Sequence, residues 1–244
     1  MKKLLLLILS FLSVNVLAQD MDTALYNSIE RYHAQKNARF NGYYKGIDVS
    51  KYQHEIEWNS LDTTLHFIIC KATEGTTLVD KKFKQNWQQI DDRYKKGAYH
   101  FFRPDKPGKE QAQLFLKTVN FDCGHILPII DVEYTRGYRR TNPRIMAANL
   151  HKFIAEIELQ LGVKPIIYTN GKFWEKYINP YFKYKESDFQ LWIADYRQRE
   201  NPGIHKDWQD WTMWQHSAKG CVDGINCEVD LNVCKKPLEE IIIK

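Results

Sequence analysis

From residue 46 onward, short apolar runs alternate with longer stretches in which apolar side chains recur every three or four positions. The short runs predict strands at 46–50, 67–73, 97–102, 126–134, 165–170, 191–196, 211–216 and 229–234, eight in all. Helical spacing predicts faces made by Phe83, Trp87, Ile90 and Tyr94, and by Ala112, Phe115, Leu116 and Val119. A longer stripe runs through Ile145, Ala148, Phe153, Ile154, Ile157 and Leu161; Thr141, Asn142 and Pro143 open it and Gly162 closes it. The helices between the later strands are short or absent. Alternating strands and helices argue for an α/β fold with a largely parallel sheet, and eight strands in about 190 residues argue for a compressed barrel.

The chain ahead of this pattern is different. Residues 1–18 read as a secretory signal: Lys2 and Lys3 form the charged start, Leu4 to Leu12 the apolar middle, and Val16-Leu17-Ala18 the cleavage site. Residues 19–43 read as an N-terminal extension ahead of one domain at 44–244. The apolar run at the N-terminus is too short to span a bilayer, so export as a soluble protein without stable membrane insertion is expected. Removal of the signal leaves 33 basic against 30 acidic residues, a net charge near +3. That mild excess suits an anionic polymer, and the absence of a Lys/Arg block or a nucleic-acid motif sets nucleic acid aside.

Five cysteines in an oxidising compartment are an odd number. Cys70 ends an apolar run and reads as a buried thiol. Cys221, Cys227 and Cys234 cluster, so a disulfide within that group or to Cys123 is expected, its pairing left open. Their spacings do not suit zinc, and no metal or other cofactor is expected.

The chemistry collects at strand ends. The run 126–134 terminates in Asp131 and Glu133, which alternation places on one face with Cα atoms roughly 6.5–7 Å apart. Carboxylates that close raise each other's pKa, giving the acid and the charged partner that glycoside cleavage needs. Asp48, Lys71 and Glu74, Tyr99 and His100, Tyr134, Tyr168 and Asn170, Trp192 and Asp195, Gln215 and His216, and Asp230 stand in or at the ends of the other strands. In a parallel barrel such ends open on one face, where active sites are built.

These segments carry a resemblance. Gly46-Ile47-Asp48-Val49-Ser50, Lys71-Ala72-Thr73-Glu74-Gly75, Ala98-Tyr99-His100-Phe101 and Asp131-Val132-Glu133 resemble glycoside hydrolase family 25. So do Pro165-Ile166-Ile167-Tyr168-Thr169-Asn170, Leu191-Trp192-Ile193-Ala194-Asp195-Tyr196, Trp214-Gln215 and Val229-Asp230-Leu231-Asn232, in the same order, covering roughly 44–234. The resemblance implies a flattened, incomplete β/α (TIM-like) barrel and a lysozyme of the N-acetylmuramidase kind. It would cut the β-1,4 bond between N-acetylmuramic acid and N-acetylglucosamine in peptidoglycan glycan strands; a monomer is expected. It implies Glu133 as proton donor, with Asp131, Asp48 and Asp230 as the other acids of the centre. Tyr99, Tyr134, Tyr168, Trp192, Asp195 and Gln215 are the implied substrate contacts. The Cys-bearing segment 221–227 and the extension before Gly42 depart from the family pattern, and no wall-binding repeat is expected.

Asp131 has two possible roles: direct attack on the anomeric carbon, or orientation of the substrate's N-acetyl group as nucleophile. Two carboxylates leaving one strand favour the second, since they are poorly placed to flank a sugar from opposite faces. Two rivals remain in view: a wall-binding protein without catalysis, and a metal-dependent deacetylase using Asp131 with His100 or His216. The histidines lack ligand spacing. Lys71 and Glu74 read as an internal ion pair.

Overall fold

The computed structural model describes residues 39–134, 138–197 and 199–244. The signal peptide and most of the extension therefore lie outside the described residues. Residues 43–244 form one compact unit. Its strands are β1 (Tyr44–Val49), β2 (Phe67–Glu74), β3 (Leu78–Val79), β4 (Lys95–Phe101), β5 (Ile129–Val132), β6 (Ile166–Thr169), β7 (Leu191–Ala194), β8 (Met213–Val222) and β9 (Ile225–Cys234). They pair in the order β1-β9-β8-β7-β6-β5-β4-β2-β3, and a further β1–β2 pairing closes an eight-stranded barrel with β3 attached outside the ring. The ring of hydrogen bonds is thus complete, and only the helical layer is incomplete.

That layer consists of α1 (Phe83–Gln89), α2 (Gly108–Thr118), α3 (Pro143–Leu161) and the single turn α4 (Gly171–Phe173), which runs on into a π-turn at Trp174–Ile178. Among the described residues no helix separates β7 from β8. The predicted signals of α3 are used as read: the Asn142 side chain accepts from the Arg144 N–H, Pro143 is the first helical residue, and Gly162 ends the helix at φ +69°. Its buried face is shifted, however. Met146, Ala147, Leu150, Phe153, Ile154 and Ile157 are buried, while Ile145 is 54% exposed and Ala148 is also exposed. Pro143 fixes the helix start, and the apolar stripe begins one residue later than the spacing of Ile145 suggested. Tyr94 lies beyond α1, where its hydroxyl donates to the carbonyls of Leu61 and Asp62.

Seven barrel strands are parallel to one another, but β9 is antiparallel to both β8 and β1. The predicted strand at 211–216 extends to Val222 and turns straight back into β9 through Asp223 and Gly224. The segment 221–227 is therefore the tip of a hairpin. Asp230 lies within its strand as expected, but that strand, β9, runs antiparallel to its neighbours and sets Asp230 opposite Asp48 of β1.

The cysteine expectation is corrected, since all five thiols are free. Cys227 and Cys234 are seven residues apart on one extended strand, about 23 Å and far beyond disulfide reach. Cys234 is buried in the barrel core and donates to the Lys236 carbonyl (3.3 Å), while Cys227 turns to the carbonyl of Tyr52 (3.7 Å). Cys123 and Cys221 are exposed, and Cys70 is buried as expected.

Alternation along the strands sorts the interior into layers. Phe67 and Ile69 of β2, Ile129 of β5, Ile166 of β6 and Met213 of β8 pack into one apolar cluster. Two residues further along β2, β5 and β8, on the same inward face, come Lys71, Asp131 and Gln215. The barrel is thus apolar below and polar at one mouth.

Candidate active site

That polar mouth is an open pocket of about 230 Å³, lined by Asp48, Asp131, Glu133 and Asp230 together with Lys71, Tyr99, Tyr168, Trp192 and Gln215. Asp131 is the third residue of β5, and Glu133 follows the strand's last residue, so alternation carries both into the same opening. Asp48 and Asp230 are brought together by the antiparallel β1–β9 register.

Burial is the main force on all four acids. It pushes Asp48 up to about 6, Glu133 up to about 7 and Asp230 up to about 8. The Asp48 charge raises Glu133 and Asp230 further, while Lys71 draws Glu133 down. Asp131 is held well above the ordinary carboxylate range by burial and then by the charge of Glu133. Its Oδ1 is enclosed without a hydrogen-bond partner. Four acids so placed cannot all be ionised at neutral pH.

Asp48 lies below Glu133 and Asp230 because it is held by donors. Gln215 Nε2 and Asn232 Nδ2 each donate to Asp48 Oδ2 at 2.8 Å. Gln215 Oε1 in turn accepts from the hydroxyls of Tyr168 (2.8 Å) and Tyr196 (2.6 Å), and Asn232 Oδ1 accepts from Trp192 Nε1 (2.9 Å). Two amides thereby present their N–H groups to one oxygen, and three aromatic donors fix the amides' orientation. Charge-assisted bonds of this kind stabilise the anionic form.

The remaining sequence-derived residues divide. Tyr99, Tyr168, Trp192 and Gln215 line the pocket, although Gln215 and Trp192 are already committed within the network around Asp48. Tyr134 is 57% exposed, does not line the pocket, and lies edge-on against Phe173 (4.9 Å between centroids) and Tyr177. Asp195 lines an adjoining groove instead, and accepts from Arg197 Nε (2.7 Å) and Nη2 (2.6 Å). Lys71 and Glu74 form the expected ion pair at 2.7 Å, with Arg103 on the other oxygen of Glu74. Lys71 is also a pocket residue, which the ion-pair reading did not foresee.

Ser50, Tyr52, Phe101 and Tyr196 complete the lining and were not singled out, nor was Asn232 as a partner of Asp48. Inward alternation was the available signal: Ser50 is two residues past Asp48, Phe101 two past Tyr99, and Asn232 two past Asp230. The metal-dependent rival loses its ligand. His100 faces the helices, against Phe115 and Phe153, with its ring nitrogens on Thr73 Oγ1 (2.7 Å) and Gln111 Oε1 (3.0 Å). Burial holds its pKa down at about 4. His216 does not line the pocket and lies edge-on to Trp214. Among the described residues no group of three or more His, Cys, Asp or Glu is disposed to hold a metal ion, and no helix is long and apolar enough to cross a membrane.

Comparison with known proteins agrees with this geometry. Residues 47–225 match the model of glycosyl hydrolases family 25, a span that holds Asp48, Asp131 and Glu133 and stops short of Asp230. The chain is 37% identical over 205 residues to the uncharacterised protein YegX of Escherichia coli (strain K12), covering 80% of this chain and 71% of that one. It is 28% identical over 200 residues to lysozyme M1 of Streptomyces globisporus, covering 77% and 66%. It superposes on a bacterial lysozyme from Streptomyces coelicolor with a TM-score of 0.74 at 26% identity, covering 81% and 94% of the two chains. A family 25 glycosyl hydrolase from Bacillus anthracis gives 0.69 at 30% identity, covering 81% and 91%. With the matching segment spanning most of the barrel and three of the four acids of its mouth, the chain belongs to glycosyl hydrolase family 25.

Proposed function

We propose that this glycoside hydrolase is a secreted N-acetylmuramidase that cleaves the β-1,4 bond following N-acetylmuramic acid in peptidoglycan. The observation that carries the reading is the convergence of Glu133, Asp131, Asp48 and Asp230 on one pocket walled by aromatic side chains. Glu133, with a pKa raised to about 7, holds a proton at mildly acidic pH and delivers it to the glycosidic oxygen as the bond breaks. The positive charge that develops at the anomeric carbon is stabilised by Asp48, kept anionic by Gln215 and Asn232. Asp230, whose raised pKa favours its protonated form, donates a hydrogen bond to Asp48 or to the sugar.

Asp131 orients the substrate's N-acetyl group, whose carbonyl oxygen attacks the anomeric carbon from the face opposite the leaving group. Its placement on the same strand segment as Glu133 supports this role over direct attack. Water then opens the cyclic intermediate, with Glu133 now acting as base. Relatives named lysozyme and the putting-together of the four acids support the substrate class.

Mass spectrometry of digested peptidoglycan tests the bond assignment. Fragments should end in reducing muramic acid, and reducing glucosamine would overturn it. The same digest of N-deacetylated glycan tests the role of Asp131, because normal cleavage there would leave direct attack as the mechanism. Replacement Glu133→Gln should lower the rate by about a hundredfold to ten-thousandfold with the fold intact.

A further inference from the structure

A second concavity, of about 620 Å³, adjoins the acid pocket, and Tyr196 lines both. The two differ sharply in charge. The acid pocket holds four acids, raised towards their protonated forms, with Lys71 as its cation, whereas the groove carries Lys172, Arg197 and Arg199 against Glu175 and Asp195. Asp195 is unavailable to a ligand: it is buried and accepts from Arg197 Nε (2.7 Å), Arg197 Nη2 (2.6 Å), the Arg197 N–H (3.1 Å) and the Gly203 N–H (2.8 Å).

What this arrangement does is fix a guanidinium. Asp195 holds one edge of the Arg197 fork, and the side chain remains 49% exposed on the groove. Gly203 is part of the seat, because a Cβ there would stand 2.6 Å from Arg197 Nη2. A planar fork held in place loses little freedom on meeting a carboxylate, which it matches geometrically better than an ammonium does. Exposed Lys172 and Arg199 add positive charge on the same groove.

We infer that this groove is a carboxylate-binding subsite that seats the peptide borne by the muramic-acid residue, with the anchored Arg197 as its principal contact. The inference rests on the muramidase reading, and it gives that reading an orientation. A glycan carrying peptide carboxylates meets in the acid pocket only Lys71, which is paired with Glu74, and meets three cations beyond Tyr196, so the peptide-bearing sugar is drawn to the groove side of the bond to be cut. The free lactyl carboxylate of a peptide-free muramic acid shares this chemistry, and the test separates the two sources.

The test compares kcat/KM on soluble glycan chains that keep their stem peptides with the same chains stripped by an amidase, which exposes the lactyl carboxylate. The wild-type enzyme should prefer the peptide-bearing chains by roughly fivefold to tenfold, the size that two or three partly exposed charge contacts supply. The double variant Lys172→Gln/Arg199→Gln, at exposed positions, should bring that ratio towards one, mainly through KM. Arg197→Lys should do the same, since it keeps a cation for Asp195 and removes the fork. Equal cleavage of both chains by the wild type, preference for the stripped chains, or variants that keep the wild-type ratio would overturn the subsite. Failure to cleave either chain would overturn the muramidase activity itself.

Discussion

At the scale of single residues, the acid proposed at Glu133 ties the pH dependence of the rate to that of stability. Its pKa in the folded chain is raised to about 7 from an ordinary 4.5, chiefly by burial. The proton it is proposed to deliver is therefore present below about 7, and the rate should fall as pH rises through that value. The same shift acts on stability with a definite sign. A carboxyl whose folded pKa is raised contributes stability that is fully present below its unfolded pKa and is lost as pH climbs through the folded one. Glutamine at this position never ionises and escapes that loss. The variant Glu133→Gln should thus melt higher than the wild type at pH 8 and nearly level with it at pH 4, while being almost inactive at both. An equal difference in melting temperature at the two pH values would mean that the folded pKa of Glu133 is ordinary.

Among the elements, the packing of α2 on α3 tolerates no added bulk at its contact point. A Cβ placed on Gly108 would stand 1.7 Å from the backbone oxygen of Asn149 and 3.0 Å from the backbone nitrogen of Phe153. Neither atom can rotate away, so Gly108→Ala should separate the helices and cost about 1–3 kcal/mol or more, read as a lower midpoint in urea. Activity per folded molecule should be preserved, since Gly108 lies outside the pocket lining. How much of these elements could be read in advance follows from how local their causes are. Asn142, Pro143 and Gly162 act on their own helix ends, so α3 was legible, and Asp131 and Glu133 shared a face because alternation needs no partner. The direction of β9 is not local. Asp223-Gly224 is a hairpin signal in the sequence, but it lies inside a cysteine-bearing segment that reads as an insertion. Hence Asp230 was found by its motif, while its reason for meeting Asp48, an antiparallel register, was not. The amide pair Gln215 and Asn232 depends on strands β8 and β9 converging on β1, which no stretch of sequence reveals alone.

For the whole molecule, ionisable groups are unevenly placed. The chain carries 35 basic against 30 acidic residues, yet four carboxylates gather at the barrel mouth. The basic excess is therefore borne by the rest of the protein, where it would attract the proposed polyanionic wall at a distance. These two fields respond differently to salt. Raising ionic strength from about 0.15 M to about 1 M shortens the screening length from about 8 Å to about 3 Å, which weakens attraction between exposed charges and leaves buried ones much less affected. Turnover of intact, anionic walls should then fall through a rising KM. Turnover of a short, peptide-free soluble glycan, which engages the enzyme chiefly inside the pocket, should change far less. The measurement is a turbidity assay on walls beside a reducing-end assay on the soluble glycan, across the same salt series. Parallel declines would place the salt effect on the catalytic acids and leave the surface charge without a part in finding the wall.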